Sequence, residues 1–244
     1  MRQIIAIGGG GFGREIKDLK IEKYIIEQCS KKTPSICFIP TATGDDIGYI
    51  KNFYKAFDSL NCKTSHIDFF KRTINLKEHI LKQDIIFVGG GNTKSMLAVW
   101  REWGLDKILS DAYNTGIIMS GVSAGAICWF ENGITDSWKE HQSILPCLSF
   151  VKGNCCPHYD EEPERIPFVS KILKNNDINN CLAIEGFCAL HLVDDLPKNA
   201  IPVEHCKMIK NRSYCKHVHC CSTFATPYQY LWIRTGYCKV NIGF

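Results

Sequence analysis

The sequence predicts an α/β protein in three layers, a mostly parallel central sheet with helices on both faces. Three observations carry this. Short apolar runs alternate with segments of helical spacing through the first 130 residues. Such runs, apolar throughout and joined by helical patterns, are those of strands covered on both faces. Three of them end in glycine-rich or small-residue turns, at the sheet edge where ligands of such folds bind.

In order, Gln3 to Ile7 is a strand that stops at Gly8–Gly11. Helical spacing from Phe12 to Cys29 places Ile16, Leu19, Tyr24 and Ile25 or Ile26 on one side. Ile36 to Ile39 is a second strand, stopped by Pro40. Asp45 or Asp46 caps the next helix, whose apolar face carries Ile50, Phe53, Tyr54 and Phe57. Thr64 to Phe69 reads as a third strand, and Asp84 to Val88 as a fourth that runs into Gly89–Gly91. Lys94 to Trp103 is helical and Gly104 suits its end. Thr115 to Val122 is the fifth strand. Beyond residue 130 the pattern weakens, with strands expected around Leu182–Ile184 and Tyr228–Arg234.

The chain has 244 residues, enough for one sizeable core, and a single domain over 1–244 is the simplest reading. A net charge of +4, spread along the chain, argues against a nucleic-acid surface. No apolar run approaches the length of a membrane span, and no secretory signal follows Met1. The expected setting is therefore cytoplasmic, with no membrane partner and a monomer or homodimer. The fourteen cysteines are expected as reduced thiols. Seven of them follow residue 180, so His205, Cys206, Cys215, His217, His219, Cys220 and Cys221 invite a zinc reading. Their spacing lacks any C-x-x-C, and no metal is expected.

Gly121-Val122-Ser123-Ala124-Gly125 follows a strand and opens a helix, which is the pattern of a nucleophile elbow. The turn lifts one hydroxyl to the carboxyl edge of the sheet, beside the free N–H groups of a helix start. A serine there needs a base, an acid to orient the base, and donors for an oxyanion. His158, after Pro157 in a polar segment, is the candidate base. His141 is a competitor, whereas His191 lies in an apolar run and reads as core. Asp136 and Glu185 are the candidate orienting acids. In Gly89-Gly90-Gly91-Asn92-Thr93, the glycines allow backbone N–H groups to approach a substrate oxygen, so Gly91 and Ala124 are the expected oxyanion donors. Gly90, Asn92 and Thr93 are expected to line the substrate, although Asn92 and Thr93 would equally cap the helix that follows. Gly8, Gly10 and Gly13 satisfy a dinucleotide fingerprint, but the second strand closes on Pro40-Thr41-Ala42-Thr43 rather than on the acid that fingerprint needs. No organic cofactor is expected.

Together, Phe87–Thr93, Gly121–Ala126 and Pro157-His158, with Pro40-Thr41-Ala42 and Asp45-Asp46, resemble the peptidase E family of serine peptidases. The likeness runs from about residue 1 to 195. It implies a fold similar to class I glutamine amidotransferases, Ser123 as nucleophile, His158 as base, and Gly91 and Ala124 as oxyanion donors. Both Asp136 and Glu185 fall near positions proposed for the third member, with Asp136 slightly favoured. Aspartyl dipeptidases of this kind read an N-terminal aspartate with an arginine after the histidine. Arg165 is the nearest candidate here, at a shorter spacing. The implied activity is hydrolysis of short peptides, with an N-terminal acidic residue as the candidate preference. The alternatives are an amidotransferase-like amide hydrolase, which would ordinarily carry cysteine at the elbow, and a non-catalytic module binding a small ligand.

Overall fold

The computed structural model describes residues 1–14, 19–201 and 206–210, with side chains described through residue 199. Its strands are β1 (Gln3–Ile7), β2 (Ser35–Ile39), β3 (Lys63–His66), β4 (Ile85–Val88), β5 (Ile118–Val122), β6 (Phe130–Thr135), β7 (Ser143–Pro146), β8 (Val151–Cys156), β9 (Asn180–Ile184), β10 (Ala189–Val193), β11 (Leu196–Ile201) and β12 (Cys206–Lys210). Its helices are α1 (Lys20–Glu27), α2 (Ile47–Asp58), α3 (Leu76–Leu81), α4 (Thr93–Glu102), α5 (Leu105–Asn114), α6 (Ala124–Ile127) and α7 (Arg165–Lys174).

The central sheet has the order β11-β10-β1-β5-β4-β2-β3. Its five strands from β1 to β3 are parallel, and β10 and β11 close one side as an antiparallel hairpin. Alternation along each strand sorts the core into two layers. Ile4, Ala6, Ile86, Val88 and Met119 pack with Met96, Trp100, Leu105 and Leu109 of α4 and α5. Ile5, Ile7, Phe38, Phe87 and Ile118 pack on the other face with Ile25 of α1 and Phe53 and Phe57 of α2. Phe12 joins that layer within an aromatic cluster, where Phe38 and Phe53 stack at 4.8 Å. Each such buried ring contributes about 1.5–3 kcal/mol by leaving water. The three-layer α/β expectation therefore describes this part of the molecule.

A second sheet, β12-β9-β8-β6-β7, was not foreseen. Its strands are short and carry polar residues at many positions, as in Phe-Glu-Asn-Gly-Ile-Thr of β6, so they give neither a continuous apolar run nor a clean alternation. Helix α7 covers it through Val169, Ile172 and Leu173, packed on Ile134, Cys156, Cys181 and Ala183.

Several boundaries differ from expectation. In place of a helix from Phe12, a short 3₁₀ turn spans Gly11–Gly13 and α1 starts at Lys20. Gly10 and Gly11 have φ of +86° and +72°, and the Phe12 N–H donates to the buried Glu22 carboxylate at 2.8 Å rather than to a helix. Strand β5 starts at Ile118 because Thr115 ends α5 and Gly116, with φ +94°, turns the chain. Helices α3 and α5 and strand β10 were also unforeseen. The strand expected at Tyr228–Arg234, the residue Ile16, and His205, Cys215, His217, His219, Cys220 and Cys221 lie outside the described residues. Among the described residues, seven of nine free cysteines are buried as small apolar core groups.

Candidate active site

β5 delivers Ser123 to the carboxyl edge of the sheet with φ 56° and ψ −109°. A non-glycine residue held there stores about 1–3 kcal/mol of backbone strain, which the surroundings must over-determine. They do. The Ser123 N–H donates to the Ile7 carbonyl at 2.9 Å, and the Ser123 carbonyl accepts from Ala126 and Ile127 in α6. The flanking glycines are steric requirements. A Cβ on Gly125 would lie 2.2 Å from the Val88 carbonyl oxygen, and one on Gly121 would lie 2.5 Å from that of Gly125. The elbow is thus pressed directly onto β4. Ala124, as the first residue of α6, has no acceptor for its N–H within the helix.

The loop after β4 lies against this elbow. A Cβ on Gly90 would meet the Ser123 Cβ at 3.3 Å. Gly91 has φ +134°, and its missing Cβ would sit 2.3 Å from the Ala42 carbonyl oxygen. The Gly90 N–H points at the Tyr49 hydroxyl, 3.4 Å away. Burial pushes the Tyr49 hydroxyl up to about 12, so it stays protonated as a neutral partner.

His158 opens the segment after β8 with φ 49°, its N–H donating to the Gly8 carbonyl at 3.0 Å. Its Nδ1 lies 2.5 Å from Oε2 of Glu161. The other Glu161 oxygen accepts from Arg14 Nη1, and Arg14 Nη2 stands 3.4 Å from the same His158 Nδ1. Burial pushes the Glu161 carboxyl up, but the hydrogen bonds from His158 and Arg14 outweigh it and hold it below its ordinary value. The first glycine run now has a physical purpose. A Cβ on Gly9 would lie 2.6 Å from both the His158 ring and the Glu161 carboxylate, and one on Gly8 would collide with the Glu185 carbonyl at 2.1 Å. These glycines admit the histidine and its carboxylate.

The other sequence candidates are dispersed. Asp136 is exposed on the turn after β6, where its carbonyl accepts from Lys139, and it does not line the cleft. Glu185 is buried at the end of β9, and its charge acts on the Tyr159 hydroxyl. Arg165 is buried and does not line the cleft. It is 3% exposed, with Nε 2.7 Å from Glu162 Oε2 and Nη1 donating to the Ile134 carbonyl at 3.0 Å. Asn92 caps α4 by accepting from Ser95 N–H at 2.9 Å, and its amide donates to the Ser137 carbonyl at 2.7 Å. Thr93 is buried, with its N–H on Ser137 Oγ. Both are bonded into the framework, and neither lines the cleft. His141 is exposed. His191 is core, bonded to Tyr24 and Gln3, and burial lowers it to about 4.

Sequence reasoning missed Glu161. It sits in the run Asp160-Glu161-Glu162, which reads as a solvated acidic surface. Instead Asp160 accepts from the Gly186 N–H at 2.7 Å, Glu161 meets His158, and Glu162 meets Arg165. The spacing His158-x-x-Glu161 was the available signal.

Ser123 and His158 line one cleft of about 530 Å³, together with Gly10, Arg14, Asp46 and Tyr49, Gly90 and Gly91. An elbow serine and a carboxylate-bound histidine over a glycine-rich loop make up the equipment of a hydrolase. Residues 4–198 match the model of peptidase family S51, and the chain belongs to that family, the peptidase E family. It is therefore a peptidase by family. It is 45% identical over 196 residues to the uncharacterized peptidase YgaJ of Bacillus subtilis, covering 80% of this chain and 85% of that one. It is 29% identical over 138 residues to the uncharacterized peptidase Lmo0363 of Listeria monocytogenes, covering 53% and 67%. The fold is shared with a putative peptidase E protein of Listeria monocytogenes (TM-score 0.61, 20% identity, 86% of this chain and 98% of that one). It is also shared with a peptidase from an acI-B1 Actinobacterium (TM-score 0.63, 17% identity, 86% and 88%). Among the described residues no helix is long and apolar enough to cross a membrane.

Proposed function

We propose that this chain is a serine-type peptidase acting on short peptides. The observation that carries the reading is the strained Ser123, held at the sheet edge in the same cleft as a histidine whose Nδ1 is occupied by a carboxylate. In this reading Ser123 Oγ attacks the scissile carbonyl, and His158 takes its proton through Nε2 and returns it to the leaving amine. The N–H groups of Gly91 and Ala124 receive the oxyanion.

Among the described residues that line the cleft, Arg14 is the cationic and Asp46 the anionic group, a pairing that suits a short zwitterionic peptide. With Arg165 buried, Arg14 is the guanidinium that would meet an acidic side chain of substrate. The test is a panel of Asp-X, Glu-X and neutral dipeptides on wild type and Ser123→Ala, with fluorophosphonate labelling of Ser123 alongside. Turnover that survives Ser123→Ala rejects the nucleophile. An unchanged acidic preference in Arg14→Ala rejects the specificity assignment.

A further inference from the structure

The turn from β9 to β10 carries an aromatic side chain that the fold holds firmly and does not bury. Phe187 is 49% exposed, and its φ is +55°, a conformation that strains the backbone of any bulky residue. Core packing does not offset that strain, because Phe187 joins none of the three buried apolar clusters among the described residues.

The backbone fixes where the ring stands. The Phe187 N–H donates to the Gly9 carbonyl at 3.0 Å. On one side of it the Gly186 N–H donates to Asp160 at 2.7 Å, and on the other the Cys188 carbonyl accepts from Gly8 at 2.9 Å. The ring lies on Gly10. A Cβ there would meet Phe187 Cδ1 at 2.5 Å and Cε1 at 2.9 Å, so the ring takes the space that a side chain at position 10 would fill. Gly10 lines the cleft that holds Ser123 and His158. Gly9 faces the histidine itself, its missing Cβ 2.6 Å from Nδ1 and 2.7 Å from Cε1 of the His158 ring. The aromatic ring is thus one residue along the same loop from the histidine.

We propose that Phe187 is a specificity residue, an apolar wall for the side chain that follows the scissile bond. The inference rests on the reading of Ser123 as nucleophile and His158 as base. In that mechanism the base gives its proton to the leaving amine, so the leaving half of the substrate lies on the histidine side of the serine. The loop of Gly8 to Gly10, with Phe187 on it, is on that side. A ring already held in one place loses little conformational freedom when a ligand covers it, and its open face is removed from water. An aliphatic or aromatic side chain laid on that face is buried in turn, whereas glycine at the same position reaches nothing. The substrate class is a short peptide with an apolar residue after the cleaved bond.

The experiment uses the full chain and two dipeptide series. In the first, the leading residue is held as alanine or aspartate and the second runs through glycine, alanine, leucine and phenylalanine. In the other, the second residue is held as glycine and the leading one is varied. Wild type should turn over peptides ending in leucine or phenylalanine with kcat/KM about tenfold above those ending in glycine, the low end of what an added buried methylene gives in a closed pocket. Phe187→Ala should bring the first series within about twofold by slowing the leucine and phenylalanine peptides alone, and should leave the other series unchanged. Phe187→Tyr, which keeps the ring, should keep the preference. Phe187→Gly also relaxes the positive φ and takes the place of the alanine variant if that does not fold. Fluorophosphonate labelling reports Ser123 independently, and the slowing of that labelling by each dipeptide reads occupancy of the wall where turnover is too slow to measure.

A wild type that treats leucine, phenylalanine and glycine alike at the second position, in turnover and in protection, overturns the proposal. A Phe187→Ala or Phe187→Gly protein that loses the glycine peptides as fully as the phenylalanine ones also overturns it, because that is the mark of a merely structural residue. So does a change confined to the series that varies the leading residue. Turnover that survives Ser123→Ala, with Ser123 unlabelled, removes the serine-peptidase reading and the side assignment with it, whereas a flat second-residue series in a protein whose Ser123 labels removes the role of Phe187 alone.

Discussion

Replacing Gly125 with alanine adds one methyl group where β4 passes beneath the elbow. The new Cβ would lie 2.2 Å from the Val88 carbonyl oxygen, 2.7 Å from its carbon and 2.8 Å from the Val88 Cβ. That is more than about 1 Å inside ordinary contact, and the atoms met are largely backbone. β4 cannot yield alone, because it is hydrogen-bonded to β2 on one side and β5 on the other. Alanine gains up to about 1 kcal/mol of helix propensity over glycine in α6. Overpacking against fixed backbone works at the upper end of about 1–3 kcal/mol, so the net loss should be about 2 kcal/mol. The displacement falls on Ser123, two residues earlier, and on the loop that follows Val88. A shift of this size in a reacting group slows chemistry about 10²-fold. Urea unfolding followed through the buried Trp100 and Trp129 reads the first effect, and fluorophosphonate labelling of Ser123 reads the second. Gly104→Ala is the control. It meets nothing within 4 Å at φ +66°, so it should lose only about 1–2 kcal/mol of left-handed strain and label normally. A Gly125→Ala protein with wild-type stability and labelling would falsify the account of the elbow.

Further outcomes follow from the same geometry. His191 is held neutral because burial lowers it from 6.5 to about 4, so its contribution is complete above pH 6.5 and lost as pH falls toward 4. About 2 kcal/mol should disappear over that window after allowance for partial hydration, and urea midpoints of His191→Gln should show a flatter pH dependence. Glu161, held below its ordinary 4.5, contributes fully above that value, and its share is lost only as pH falls through the lowered one; labelling of pH-jumped protein should show loss of Ser123 reactivity no later than this titration. Arg165→Met should cost about 2 kcal/mol by stranding the Ile134 carbonyl and Glu162, yet leave the order of rates across the dipeptide panel, whatever it is in wild type, unchanged; a reordered panel would return Arg165 to the substrate. Asn92→Ala should lower stability by about 1–2 kcal/mol through the lost α4 cap and the bond to Ser137, with KM unmoved.

The parallel strands and the elbow were legible because each is a local pattern. Ile4–Ile7, Ile36–Ile39 and Ile85–Val88 are continuous apolar runs, and the glycines around Ser123 are set by contacts that any such turn must make. His158 was legible from its neighbour Pro157 and the family likeness. What failed depended on contacts distant in sequence or on segments with mixed polarity. Arg165 looks like a substrate cation until the Ile134 carbonyl, 31 residues away, is seen to accept from it. Glu161 is three residues from His158, yet its neighbours Asp160 and Glu162 are chemically alike, and only the fold assigns each carboxylate to a different donor. The glycines of residues 8–11 imitate a phosphate loop in sequence because both uses need a backbone without side chains.

The position of β1 bears on how the site is closed. β1 is an inner strand of the central sheet, between β5 and β10, and the loop it leads into accepts from His158 and donates from Gly8 to the Cys188 carbonyl at 2.9 Å. The residues of β1 find their partners about 115 to 190 positions away in sequence, long-range closures of the kind that form slowly. The strand that carries Ser123 and the backbone behind His158 are thus both closed by long-range contacts to the same short segment.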